Sequence, residues 1–146
     1  MELVHGGRLT DLIRERAKSR VKFTDKEASS LMRGILSAVA YIHEKGIVHR
    51  DLKPDNILIN DWQDLSTCKV VDFGLSAKYK LFSGGMDQKC GTIIYMAPEV
   101  VAGNNEYTRS VDIWATGVIM YEILTGGKHP LFDYQNDTNE SYKSKL

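Results

Sequence analysis

The chain contains 146 residues, and 19 lysine and arginine residues balance 19 aspartate and glutamate residues to give a formal net charge of zero. This length fits one domain, and the neutral balance indicates neither a nucleic-acid partner nor attraction to an acidic membrane surface. Two cysteines without metal-ligand spacing, no long apolar run and no basic-then-apolar leader predict a cytoplasmic protein without a membrane segment.

The first third of the chain carries two helical patterns. An i, i+3, i+4 apolar pattern predicts a short amphipathic helix, and its members are Leu9, Leu12 and Ile13. A longer helix begins at Thr24, because Thr24 and Glu27 match a capping box. This helix ends near Gly46, a suitable C-terminal cap. Its apolar stripe comprises Ala28, Leu31, Met32, Ile35, Val39 and Ile42.

The remaining segments predict a mainly α fold with a few short β-strands. Short apolar runs at 47–48, 57–59 and 68–71 are bounded by polar or turn residues and predict small strands. Residues 75–96 show no period, which predicts a mobile loop. The stretch 109–124 is apolar nearly all round and predicts a helix buried on most sides. Residues 133–146 are polar, and we expect a frayed tail there.

The loop between the first two predicted strands reads HRDLKPDN over residues 49–56. Phosphoryl transfer needs a carboxylate near the incoming hydroxyl, a cation near the transferred group and oxygen ligands for Mg²⁺. Asp51 can accept the substrate proton, and Lys53 can lie along the γ-phosphate of ATP. Asn56 and Asp72 can hold Mg²⁺ if a short strand pair between them returns the second ligand to the first.

Two further signatures follow this loop in order, Asp72-Phe73-Gly74 and Ala97-Pro98-Glu99. Each tripeptide alone is a weak signal, but the three motifs in this order are specific. On these motifs the chain resembles the helical C-terminal lobe of eukaryotic protein kinases, with a match from residue 1 to about 132. Lys53 and Thr92 resemble the serine/threonine class. The residues around the tripeptides are similar to those of calcium/calmodulin-dependent-like kinases.

The resemblance implies how the chain would divide and what it would bind. Residues 1–7 would form the hinge, residues 8–132 an incomplete helical lobe, and residues 72–99 the activation segment. Glu2 and Val4 would offer backbone groups to the adenine of ATP, and Leu58 would lie beneath the ring. The implied cofactors are ATP and Mg²⁺, and the implied partner is a protein substrate with a serine or threonine hydroxyl.

Further roles follow from the same resemblance. Thr92 would bond the catalytic aspartate and lysine. His49 would stack with Phe73, and Asp112 would anchor the backbone of the catalytic loop. His43, on the helix before that loop, is interpreted as a partly buried packing residue.

Two positions bear on regulation and specificity. Arg50 would pair with a phosphate on the activation loop in the family, and we hypothesise that Asp87 gives it a permanent counter-charge. Arg8 stands where many basophilic relatives carry a glutamate, so a cation there opposes the usual preference for arginine upstream of the target residue.

Two interpretations of function stay open. The chain contains no glycine-rich phosphate loop and no Val-Ala-Ile-Lys strand, so we expect a partial kinase domain without turnover by itself. It is either part of a serine/threonine kinase or a catalytically silent binding module that offers residues 99–132 to partners. The intact Asp51, Asn56 and Asp72 favour the kinase, whereas the missing phosphate loop favours the binding module for this chain alone.

Overall fold

The computed structural model describes residues 4, 6–78, 92–103 and 108–146. Over these ranges the chain forms five α-helices and two small antiparallel sheets, which confirms the predicted mainly α fold with few short strands. The helices are α1 (Leu9–Ser19), α2 (Asp25–Glu44), α3 (Pro98–Val101), α4 (Ser110–Thr125) and α5 (Asn139–Lys143). The strands are β1 (Ile47–Val48), β2 (Ile57–Leu58), β3 (Lys69–Val70) and β4 (Ala77–Lys78).

The capping box predicted at the start of α2 is present. The Thr24 hydroxyl accepts a hydrogen bond from the Glu27 N–H at 3.2 Å, and Glu27 Oε2 accepts from the Thr24 N–H at 2.8 Å. Glu27 also pairs with Arg16 of α1 at 2.6 Å, so the cap ties the two helices together. The predicted apolar stripe of α2 is buried along its whole length.

The core forms where α2 packs against α4 and against a 3₁₀ turn at Leu65–Thr67. Ile35 of α2 and Ile119 of α4 are both fully buried in this cluster. The turn approaches α2 so closely that only glycine fits at residue 34. A Cβ atom on Gly34 would lie 2.5 Å from the Ser66 carbonyl oxygen and 2.7 Å from Cys68 Sγ.

The two sheets frame the loop at residues 49–56. β2 and β3 pair antiparallel, with Ile57 opposite Val70 and Leu58 opposite Lys69, so the chain returns to the end of the loop after the hairpin. β1 pairs antiparallel with β4. The prediction placed no strand at β4. The Ala-Lys sequence of β4 has no β preference of its own, and its partner β1 lies about 30 residues earlier.

The prediction for α4 was wrong in one respect. α4 covers the predicted stretch, but it is buried on one side instead of on most sides. Ile113 is 52% exposed, and Met120 and Leu124 are also exposed. The reason is that α4 packs on α2 through one face, while its opposite apolar face stays open to solvent. Within the described ranges, no helix, α4 included, combines the length and the apolar character that a membrane crossing requires.

The frayed tail predicted at 133–146 is not what the structure shows. Helix α5 lies within it and begins with a capping box between Thr138 and Ser141. Tyr142 of α5 is fully buried, and its hydroxyl donates to the Ile94 carbonyl at 3.0 Å. The ring of Tyr142 packs edge-on against His129. One aromatic side chain with nonlocal partners therefore anchors a segment whose composition is otherwise polar.

Candidate active site

Asp112 at the start of α4 fixes the backbone of residues 49–56, the predicted catalytic loop. Its Oδ2 accepts from the His49 N–H and its Oδ1 accepts from the Arg50 N–H, both at 2.9 Å, and the side chain is 1% exposed. Arg50 has φ of 70°, a left-handed conformation that is unfavourable for a residue with a side chain. The buried carboxylate holds this conformation, as the resemblance implied for Asp112.

His43 completes the environment of Asp112, and the sequence had indicated only a packing role for it. Its Nε2 lies 2.7 Å from Asp112 Oδ2. A carboxylate accepts and does not donate, so the Nε2–H of His43 is the donor. The two residues are 69 positions apart, and neither belongs to a motif that pairs them. Sequence reasoning therefore had no signal for this contact.

His49 connects the catalytic loop to the segment after β3. Its ring centroid lies 4.9 Å from that of Phe73, the stacking that the resemblance implied. His49 Nδ1 accepts from the Asp51 N–H at 3.3 Å, and Nε2 lies 3.0 Å from the Val71 carbonyl oxygen. Because Nδ1 is an acceptor, the proton resides on Nε2. His49 is thus a positioning residue that orients the backbone of Asp51.

The Asp51 carboxylate is the centre of a dense hydrogen-bond network. Lys53 Nζ donates to its Oδ2 at 2.7 Å, and the Thr92 N–H and hydroxyl donate to its Oδ1 at 2.8 and 3.0 Å. Lys53 Nζ also donates to the Thr92 hydroxyl at 2.8 Å. The predicted catalytic residues Asp51, Lys53 and Thr92 therefore lie together, although Thr92 follows Asp51 by 41 positions.

This network sets the charge of Asp51. Burial raises the pKa of the carboxyl, but the donors on Lys53 and Thr92 outweigh burial and hold the pKa below its ordinary value. Asp51 is consequently ionised at neutral pH. A fixed carboxylate beside an ammonium group is suited to receive and orient a hydroxyl group.

The two predicted metal ligands, Asn56 and Asp72, line one cavity of about 700 Å³ together with Lys53 and Thr92. Asn56 is buried, and its Nδ2 donates to the Asp51 carbonyl at 2.9 Å. Asp72 is exposed, has φ of 63°, and accepts from the Gly74 N–H. In the described part of the chain no three His, Cys, Asp or Glu side chains cluster as a metal site.

Of the three residues that the resemblance placed at the adenine, the structure describes Leu58 and Val4. Leu58 is half-buried in β2 and is bridged to Arg8. The segment before Arg8 lies beside the end of β2, because the N–H of Ile59, the residue after β2, donates to the Gly7 carbonyl at 2.9 Å. Val4 is half-buried, and Glu2 lies outside the described residues. Asp87, the hypothesised counter-charge, also lies outside them, whereas Arg50 Nε donates to the Leu75 carbonyl at 2.5 Å.

A buried glutamate beside the cavity was not found from the sequence. Glu122 of α4 is 3% exposed, and its carboxylate accepts from the Tyr95 and Tyr134 hydroxyls at 2.9 to 3.1 Å. Burial raises the pKa of Glu122 to about 7, even though both tyrosine donors act to lower it. The one signal in the sequence was a charged residue within an apolar stretch. The partners Tyr95 and Tyr134 lie in other segments of the chain, so the sequence did not indicate the contacts.

Comparison with known proteins identifies this arrangement of lobe and motifs. The chain belongs to the protein kinase domain family, whose model matches residues 1–146. It is 45% identical over 139 residues to a calcium/calmodulin-dependent protein kinase type 1 of Macrobrachium nipponense, covering 95% of this chain and 38% of that relative.

Other relatives agree with this assignment. A calcium/calmodulin-dependent protein kinase type 1 of Caenorhabditis elegans is 42% identical, over 95% of this chain and 37% of the relative. A probable myosin light chain kinase of Dictyostelium discoideum is 45% identical, over 86% of this chain and 34% of the relative. The chain thus spans less than two fifths of the length of these relatives.

Proposed function

We propose that this chain carries the catalytic loop of an ATP- and Mg²⁺-dependent serine/threonine protein kinase. The observation that carries the proposal is the Asp51 carboxylate, which accepts hydrogen bonds from Lys53 and Thr92, two residues that line one cavity with Asn56 and Asp72. The protein kinase activity named for the relatives supports the same assignment. The substrate is a protein with a serine or threonine hydroxyl.

The residues fit a magnesium ion bound to nucleotide. Asn56 Nδ2 is engaged by Asp51, which leaves the amide oxygen of Asn56 as a ligand, and Asp72 contributes a carboxylate. Mg²⁺ uses one or two such protein oxygens together with phosphate oxygens and water. When bound there, the ion neutralises charge on the phosphates. Backbone groups of Glu2 and Val4 and the side chain of Leu58 are our proposed adenine contacts.

Asp51 and Lys53 have different roles in the reaction of the substrate. Asp51 accepts the proton of the serine or threonine hydroxyl while that oxygen bonds to the γ-phosphorus and the bond to the β-phosphate oxygen breaks. Lys53 places positive charge beside the transferred group. Thr92 holds both side chains in position through its hydroxyl and its N–H. The chemistry therefore rests on positioning and charge neutralisation.

A cytoplasmic location belongs to the same proposal. The buried thiol of Cys68 is free in the part of the chain that the structure describes. Reduced thiols are typical of the cytosol, where disulfides are rare.

Phosphate transfer from labelled ATP to a serine- or threonine-containing peptide, measured with a full-length protein that carries this chain, tests the proposal. The Asp51→Asn variant should lose at least about 10²-fold in kcat, because it removes the proton acceptor. The Asp25→Asn variant, which changes an exposed carboxylate at the start of α2, is the matched control and should keep its rate. Equal rates for Asp51→Asn and the unmodified protein would refute the assignment.

A second candidate is a catalytically silent binding module. The exposed apolar face of α4, with Ile113, Met120 and Leu124, lies within the surface 99–132 that this alternative would offer to partners. The same assay separates the two candidates. A silent module would show no phosphate transfer that depends on Asp51.

A further inference from the structure

The cavity lined by Lys53, Asn56, Asp72 and Thr92 continues along helix α1. Arg8, at the N-terminal boundary of α1, and Arg14, within it, line the cavity together with Lys53 of the catalytic loop. We call the side formed by Arg8, Thr10 and Arg14 the α1 wall. The rise of 1.5 Å per helical residue separates Arg8 and Arg14 by about 9 Å along the helix axis. The wall can therefore contact several residues of a bound peptide.

Both arginines of the α1 wall are available for a ligand. They are exposed, and within the described ranges neither takes part in an ion pair. Arg16 of the same helix is different, because it pairs with Glu27 at 2.6 Å and braces the start of α2. The helix thus carries one basic side chain committed to the fold and two that face the cavity.

The acidic residues that line the same cavity are Asp55, Asp72 and Glu122. Asp72 follows β3 and is our proposed metal ligand, and Asp55 belongs to the catalytic loop. Glu122 is buried, and its two oxygens already accept hydrogen bonds from Tyr95 and Tyr134. The raised pKa of Glu122, caused by burial, further reduces its negative charge near neutral pH. Within the described ranges none of these three acidic residues forms an ion pair with Arg8 or Arg14.

Thr10 supplies an independent sign of a ligand at this wall. It is 9% exposed, and its hydroxyl oxygen is buried without a hydrogen-bond partner in the described part of the chain. Buried hydroxyl groups normally find a partner, because an unpaired one costs free energy. Thr10 lines the same cavity as the two arginines. The α1 wall therefore contains a polar group without a partner, between Arg8 and Arg14 in the sequence.

We propose that the α1 wall binds an anionic side chain of the protein substrate, so that this kinase selects serine or threonine sites with an acidic residue nearby. The inference rests on the proposed kinase function and names its substrate class. Arginine guanidinium groups form their strongest hydrogen bonds to carboxylates and phosphates. The anionic group is an aspartate or glutamate, or a residue already phosphorylated, and the chemistry of recognition is the same.

Peptides of one sequence with a single variable position, offered to a full-length protein that carries this chain, test the proposal. The set contains a neutral parent and versions in which glutamate, phosphoserine or lysine is placed in turn at each position flanking the target serine. We expect at least one glutamate or phosphoserine position to raise kcat/KM by about tenfold over the neutral parent, and lysine there to lower it. The glutamate and phosphoserine arms distinguish the two anionic groups.

Charge-reversal variants locate the effect. Arg8→Glu and Arg14→Glu should each remove most of the tenfold preference for the acidic peptide over the neutral parent. Lys18→Glu makes the same charge change on an exposed residue of α1 that does not line the cavity, and it should keep the preference. The preference should also weaken between 50 and 500 mM salt, since exposed charges are screened.

Each result decides between the two proposals. Turnover of the neutral peptide with no gain from any acidic position, or with a gain from lysine, would overturn this inference and leave the kinase function intact. Fluorescence anisotropy with the target serine replaced by alanine measures peptide binding without turnover. Arg8-dependent binding of acidic peptides without phosphate transfer would support the α1 wall and overturn the kinase function. Neither binding nor turnover would overturn both.

Discussion

His43 Nε2 lies 2.7 Å from Oδ2 of Asp112, the buried carboxylate that also accepts the N–H groups of His49 and Arg50. This contact joins α2 to α4 directly beneath the catalytic loop. His43 therefore supports the loop through Asp112, although none of the sequence motifs includes His43.

His43→Leu should destabilise the protein by about 1–3 kcal/mol, because the buried Oδ2 of Asp112 loses one of its two donors. His43→Gln keeps an N–H donor at a similar distance from the backbone and should recover part of the loss. Urea unfolding measures both. Ser37→Ala, at an exposed position of α2, serves as the control and should change little. An unaltered unfolding midpoint for His43→Leu would show that the contact does not stabilise the fold.

Thr92→Val should shift the pH dependence of catalysis. The substitution keeps the side-chain shape and the N–H bond but removes the hydroxyl that donates to Asp51 and accepts from Lys53. Since that donor lowers the pKa of Asp51, its loss raises the pKa. The acid limb of the kcat profile should move to higher pH, with a roughly 10- to 100-fold lower plateau. Thr92→Ser should retain the original profile. Superimposable profiles for Thr92→Val and the unmodified protein would contradict the role given to Thr92.

Glu122 should make stability fall with rising pH. Burial raises the pKa of Glu122 from 4.5 to about 7 in the folded state. Between these values the folded state holds a proton that the unfolded state has lost, so stability present below pH 4.5 declines as the pH rises to about 7. The shift corresponds to roughly 3 kcal/mol.

The Glu122→Gln variant removes this titration. It should match the unmodified protein below pH 4.5 and exceed its stability by up to roughly 3 kcal/mol at pH 8, as measured by urea unfolding. Glu15→Gln, at an exposed position of α1, is the control for losing one carboxylate. A Glu122→Gln protein that is no more stable than its parent at pH 8 would disprove the raised pKa.

Gly34→Ala and Gly117→Ala should have opposite effects on stability. Both glycines lie within helices, where alanine is favoured by up to about 1 kcal/mol. A Cβ at residue 34 would collide with the Ser66 carbonyl, whereas a Cβ at residue 117 meets no atom within 4 Å among the described residues. We expect a loss of about 1–3 kcal/mol for Gly34→Ala and a gain for Gly117→Ala. Thermal unfolding of both variants measures this, and a gain at residue 34 would mean that the turn at 65–67 packs less closely.

The sequence predicted those features that depend on local pattern or on a motif. The capping box at Thr24 and the strand pair that returns the chain from Asn56 toward Asp72 follow from spacing, and the structure contains both. The contact between Asp51 and Thr92 spans 41 positions, and it was accessible only through the resemblance of the motifs to a known family.

The remaining features depend on nonlocal packing, which a local pattern does not contain. Tyr142 is the only aromatic residue among the last twelve, and only the position of the Ile94 carbonyl makes it an anchor. Likewise, apolar residues all round α4 show that the helix is hydrophobic, but they do not show which face finds a neighbour. Packing against α2 determines which face of α4 is buried, so Ile119 is buried and Met120 is exposed.

Binding of Mn²⁺·ADP, followed by electron paramagnetic resonance, tests most directly whether Asn56 and Asp72 hold one nucleotide-bound cation beside Asp51. Mn²⁺ replaces Mg²⁺ as a visible ion with the same preference for oxygen ligands. We predict that Asn56→Ala and Asp72→Ala each weaken binding at least about tenfold, while Asp51→Asn binds normally yet fails to transfer phosphate. Unchanged affinity in both Asn56→Ala and Asp72→Ala would contradict the proposed site.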